Sequence, residues 1–137
     1  MIKVLVVDDS VLIRKILTDI LESDDEIKVI DTARNGKEAL EKIELLKPDL
    51  VTLDIEMPIM DGITTLKQIV SKHKIPVIMV SSLTYEGAEL TLEALDIGAV
   101  ELLPKPTNIY SIKQEDIKHQ IVEKVKVAAK SKFYAIK

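Results

Sequence analysis

The sequence has no cysteine and no tryptophan, one phenylalanine, three tyrosines and four glycines in 137 residues. Without cysteine there is no disulfide framework and no thiolate metal site, which agrees with a cytoplasmic setting. So few aromatic rings argue against stacking on bases as a binding mode. The glycines, at 36, 62, 87 and 98, are too scattered for a nucleophile elbow or a glycine-rich oxyanion loop. The N-terminus lacks a basic-then-apolar segment, and no apolar run reaches about 18 residues, so neither a secretion signal nor a membrane span is read.

What is present is an ordinary globular mixture, 47% hydrophobic and 31% charged, of a length that suits one domain. The net charge of −4 is unevenly placed. Residues 1–112 carry 12 Lys and Arg against 20 Asp and Glu, whereas residues 113–137 carry 7 Lys against 3 acids. An acidic body argues against nucleic acid as a partner, and the basic end reads as a Lys-rich solvated helix.

Short apolar runs alternate with segments of helical period. VLVV at 4–7, IKVIDTA at 27–33, LVTL at 50–53, PVIMV at 76–80 and AVELL at 99–103 read as five strands. Between them, Val11, Leu12, Ile16, Leu17, Ile20 and Leu21 fall at helical spacing behind a capping Ser10. Asn35 with Glu38 starts a second helix. Leu66, Ile69 and Val70 mark a third; Leu90, Leu92, Ala94 and Leu95 a fourth; Ile117, Ile121 and Val125 a fifth. Five β-then-α units predict an α/β fold: a single-domain, doubly wound, flavodoxin-like (βα)5 parallel sheet of strand order 2-1-3-4-5.

In such a sheet the ligand crevice lies beyond the carboxyl ends of the strands, where strand order reverses. Asp8 and Asp9 follow the first strand and Asp54 ends the third, its neighbour in this order. Three converging carboxylates repel one another, and a divalent cation is the expected compensation. All-oxygen ligands favour a hard ion, Mg²⁺ with Mn²⁺ as the alternative. The fourth strand brings Ser81 and Ser82 to the same rim, and the fifth brings Lys105. A nucleophilic carboxylate, a metal, a hydroxyl and a lysine make up the equipment of phosphoryl transfer. His73 and His119 fall outside this crevice.

These residues resemble the receiver domain of two-component response regulators over roughly residues 1–127. The resemblance implies that Asp54 is the phosphorylated aspartate. Asp8, Asp9, Asp54 and the backbone carbonyl of Glu56 would bind metal, with Asp9 and Asp54 as direct carboxylate ligands. Ser81 would be the switching hydroxyl, Ser82 the small residue that leaves room for the phosphoryl group, and Lys105 the phosphate-binding lysine. Pro106 is the proline that the family often has in cis, and Pro58, Asp61 and Gly62 match the turn after the phosphorylation strand. One departure stands out: Leu102 occupies the position where many receivers carry a Tyr or Phe that takes part in the switch.

LDIEMPIMDG, PVIMVSSLTYEGAELTLEALDIGAVELLPKP and the helix that follows are similar to the receivers of chemotaxis receptor methylesterases. That likeness implies a two-component chemotaxis role. A histidine kinase of the chemotaxis type would phosphorylate the chain, and the switch would relieve inhibition of a C-terminal protein-glutamate methylesterase domain acting on chemoreceptors. On this reading residues 128–137 begin the interdomain linker, and the chain alone hydrolyses no ester. The alternative is a stand-alone adaptor that signals by docking. A flavin or mononucleotide module of the same fold is disfavoured, because DDSVL stands where a glycine-rich phosphate loop would follow the first strand.

Overall fold

The computed structural model of the chain describes residues 1–57, 60–81, 85–105 and 114–135. Strands and helices alternate along it as β1 (Ile2–Val7), α1 (Val11–Glu22), β2 (Ile27–Ala33), α2 (Gly36–Leu46), β3 (Leu50–Asp54), α3 (Gly62–Lys72), β4 (Val77–Ser81), α4 (Tyr85–Ile97), β5 (Glu101–Pro104) and α5 (Gln114–Ala135). The strands form one parallel sheet in the order β2-β1-β3-β4-β5, as predicted.

Central parallel strands are covered on both faces, so their side chains divide by parity between two cores. Val4, Val6, Leu50, Ile78, Val80 and Leu103 pack with Ile13, Leu17 and Ile20 of α1 and Ile121 and Val125 of α5. Leu5, Val7, Val51, Leu53, Val77 and Met79 pack with Ala39 and Ile43 of α2, Leu66 and Ile69 of α3, and Ala94 of α4. Among the described residues no helix is long and apolar enough to cross a membrane.

The capping residues read from the sequence hold. The Ser10 hydroxyl accepts from the Ile13 N–H at 3.3 Å, and the Asn35 side chain accepts from the Glu38 N–H at 2.8 Å. Asp61 caps α3 in the same manner, accepting from the Thr64 N–H at 2.8 Å.

Not every apolar residue that marks a helix turns inward. In α1 the inward residue of the first turn is Ile13, while Val11 and Leu12 are 71% and 64% exposed. In α4, Ala94 is buried but Leu92 is 68% exposed. An apolar residue on an outer face fits the helical period as well as an inner one does, so periodicity alone could not separate them. The backbone of α5 stays helical through Ala135, within the stretch read as the start of a linker.

Candidate phosphoryl-transfer site

The sheet register explains how residues far apart in sequence meet. Val7 pairs with Leu53, which sets Asp8 beside Asp54 at two adjacent strand ends. Asp54 pairs in turn with Val80, and Ser81 with Pro104, so Ser81 and Lys105 arrive at the same edge. The Lys105 N–H donates to the Ser81 carbonyl at 2.9 Å, extending the β4–β5 ladder to the residue whose side chain turns into the site.

Asp8 and Asp54 are fully buried, and Asp9 is exposed at the rim. One carboxylate oxygen from each of the three lies within 4.8 Å of the others. The Asp8 backbone N–H is tied to the Ala33 carbonyl at 3.0 Å, and Asp8 Oδ1 accepts from the Ser10 N–H at 2.9 Å. Asp8 Oδ2 is buried with no hydrogen-bond partner among the described residues. Such an orphaned oxygen is costly unless something else satisfies it. A buried carboxylate with one unpartnered oxygen, grouped with two other carboxylates in a set without nitrogen or sulfur donors, fits a hard divalent cation.

Asp54 is held from two directions. The Glu56 N–H donates to its Oδ1 at 3.1 Å, and the Lys105 ammonium reaches Oδ1 at 3.1 Å and Oδ2 at 3.2 Å. Burial, reinforced by the Asp8 charge, nevertheless outweighs Lys105 and the Glu56 N–H, and the Asp54 carboxyl is pushed up to about 7. Burial also raises Asp8, against the lowering by the Ser10 N–H and Lys105, with Asp9 adding repulsion. For Lys105, burial alone would lower the ammonium, but Asp54 and Asp8 hold it above its ordinary value. The cluster carries more negative charge than Lys105 can neutralise.

The turn after β3 is shaped by close backbone approach. A Cβ on Gly62 would lie 2.2 Å from the Asp54 carbonyl oxygen and 2.6 Å from Ile55 Cα. The Gly62 N–H donates to the Ile55 carbonyl at 2.9 Å, so the start of α3 rests directly on the backbone of the buried aspartate.

Of the residues singled out in the sequence, Asp8, Asp9, Asp54 and Lys105 come together, Glu56 touches Asp54 through its N–H, and Ser81 ends the adjacent strand. Ser82, Pro58 and Pro106 lie outside the described residues. Leu102 is partly buried on the α4 side of β5. His73 follows α3 beside Glu44, 3.7 Å away, and His119 is exposed on α5; neither belongs to the site. Sequence reasoning missed Arg14, whose Nη1 donates to the Asp8 carbonyl at 2.7 Å. The contact joins a side chain on the first turn of α1 to a backbone oxygen before it, and nothing in residue spacing marks it.

Residues 4–116 match the response regulator receiver domain family. The chain is 53% identical over 131 residues to a protein-glutamate methylesterase/protein-glutamine glutaminase of Bacillus subtilis, covering 96% of this chain and 37% of that protein. The structure superposes on the response regulator domain of Thermotoga maritima CheB with a TM-score of 0.83 at 47% identity, covering 95% of this chain and 97% of that one. It is also similar to a chain of the CheX–CheY–BeF3–Mg complex from Borrelia burgdorferi, with a TM-score of 0.74 and 40% identity over 90% of this chain and 88% of that chain. The chain spans about a third of the length of the methylesterases it matches.

Proposed function

The chain belongs to the response regulator receiver domain family, and from that premise we propose that it is a Mg²⁺-dependent phospho-acceptor switch whose acceptor is Asp54. The observation that carries this reading is the buried Asp54 carboxylate, ligated through both oxygens by Lys105 and set within 4.8 Å of Asp8 and Asp9.

Asp8, Asp9, Asp54 and the Glu56 carbonyl would hold Mg²⁺, or Mn²⁺ in its place. When bound, the ion supplies positive charge that favours the ionised acids and offsets the charge on the transferring phosphoryl oxygens. The chain's own residues do the rest. Asp54 presents a carboxylate oxygen in a fixed direction, because Lys105 and the Glu56 N–H hold the group from two sides. That oxygen attacks phosphorus of a donor phosphohistidine; the O–P bond forms, the P–N bond breaks, and the imidazole leaves with the bonding pair and takes up a proton. Lys105 is already in reach of the oxygens that the acyl phosphate would carry. Ser81, at the end of the neighbouring strand, supplies the hydroxyl that moves toward the phosphoryl group, with Ser82 leaving space for it. Pro106 would set the direction of Lys105 through its peptide bond.

The likeness to methylesterases over a third of their length supports a regulatory place in chemotaxis signalling. A chemotaxis-type histidine kinase would be the donor, and a methylesterase domain acting on chemoreceptors would be the regulated partner, linked through residues 128–137 beyond a receiver of residues 1–127. The setting would be cytoplasmic, without nucleic-acid or membrane contact, and the chain alone would not hydrolyse esters. With Leu102 where an aromatic ring is usual, an aliphatic side chain must carry the change in β5, or another surface must. Incubation with acetyl phosphate and Mg²⁺ tests the proposal by intact mass. One added phosphate, lost with chelator, is the expected result; no adduct together with no Mg²⁺ binding would overturn it.

A further inference from the structure

Asp8 and Asp9 are adjacent, yet they are fixed by different means. Asp8 is buried and pinned at its N–H by the Ala33 carbonyl and at its carboxylate by the Ser10 N–H. Asp9 is exposed, so the orientation of its side chain depends on the peptide plane that joins it to Asp8. The carbonyl of that plane accepts from Arg14 Nη1 at 2.7 Å, a short, charge-assisted bond. The Arg14 backbone N–H also donates to the Ser10 carbonyl at 3.0 Å, so the side chain reaches back from a helix already capped by Ser10. The guanidinium therefore spans the β1–α1 turn and holds one peptide plane at a set angle.

We propose that Arg14 is a positioning residue for Asp9: by clamping the Asp8 carbonyl it fixes the Asp8–Asp9 peptide plane and pre-orients the exposed carboxylate toward Asp54 for the cation. This inference rests on the metal-site reading above and assigns to Arg14 a role in cation affinity. Because the bond ends on a carbonyl, Arg14 acts through the backbone and leaves both carboxylates free as ligands. Replacing a residue that orients a metal ligand typically costs about 10- to 100-fold in metal affinity. An unclamped turn would let Asp9 sample other directions, and the cation would have to order it on binding.

The test compares wild type, Arg14→Met and Arg14→Lys by calorimetric titration with MgCl₂, by melting in chelator, and by the NMR line width of the Asp9 amide. That amide belongs to the clamped peptide plane. Arg14→Met is expected to weaken Mg²⁺ binding on the order of tenfold, to broaden the Asp9 amide signal, and to leave the chelator melting temperature close to wild type. Arg14→Lys, which can still donate to the carbonyl, is expected to recover part of the affinity. Unchanged Mg²⁺ affinity in Arg14→Met would overturn the proposal. So would an affinity loss matched by a fall in the chelator melting temperature and not relieved by lysine. If wild type binds no Mg²⁺, the metal-site reading itself falls.

Discussion

Asp54 occupies a position where a carboxylate is stable only with help. Its carboxyl is pushed from 3.8 up to about 7 by burial and by Asp8, so the folded protein keeps its proton to higher pH than the unfolded chain does. That difference stabilises the fold fully below about pH 4 and is lost as pH rises through about 7. In chelator, the wild type is therefore expected to lose stability across this window relative to Asp54→Asn. The variant should melt roughly 5 °C higher at pH 8, a difference that scanning calorimetry would resolve; a lower melting point would contradict the electrostatic picture. Gly62 sits against the same residue from outside. All three near contacts of an added Cβ are backbone atoms of Asp54 and Ile55, which cannot move aside as a side chain tip could. Gly62→Ala is expected to cost roughly 3 kcal/mol in urea unfolding, and a loss below 1 kcal/mol would show that the turn yields. Asp8, Asp54 and Lys105 were legible in the sequence because each follows an apolar run at a strand end. The Arg14 bond and the approach of α3 to Asp54 were not, since both depend on where backbone oxygens point.

Helix α5 is tied to the body by charged contacts as well as by its apolar stripe. Lys126 bridges Asp24 at 2.8 Å and Glu26 at 3.4 Å in the turn between α1 and β2, while Lys124 donates to the Leu102 carbonyl at 3.0 Å and lies 3.8 Å from Glu101. The hydrogen bond from Lys126, with the Glu26 N–H, holds Asp24 below its ordinary value, and the same bond to Asp24 raises Lys126. The signs fix a window. The Asp24 contribution is present above its unfolded value near 3.8 and is lost as pH falls through its lower folded value; the Lys126 contribution is present below 10.5 and is lost as pH rises through its higher folded value. The stability difference between wild type and Lys126→Met is therefore expected to be constant across mid-range pH and to shrink toward zero at both extremes. A difference that persists unchanged in strong acid would mean that packing of the lysine stem, and not its charge, makes the tie. The elements were read correctly because five apolar runs alternate with helical segments and because Ser10 and Asn35 are strong capping signals. Which apolar residues of α1 and α4 turn outward was hidden, as Leu12 and Leu92 fit the period of a buried stripe while lying 64% and 68% exposed.

At the scale of the molecule, one consequence of parallel topology organises the rest. Every strand runs the same way, so β1, β3, β4 and β5 deliver their final residues to one edge, and register alone brings Asp8, Asp54, Ser81 and Lys105 together. Strand order was predictable from the alternation of elements, and with it the crevice. What the order cannot supply is the balance of charge inside: among the described residues, three carboxylates meet one lysine, and Asp8 Oδ2 is left without a partner. That imbalance is what the proposed cation would offset. The most direct test is to phosphorylate the chain with acetyl phosphate and Mg²⁺, reduce with borohydride and map the peptides by mass. Borohydride cleaves an acyl phosphate and converts the aspartyl residue to homoserine, leaving free carboxylates and serine phosphates alone. Homoserine confined to position 54 is the expected result; homoserine at 8 or 9, or a borohydride-resistant phosphate on Ser81, would contradict the assignment of Asp54 as the acceptor.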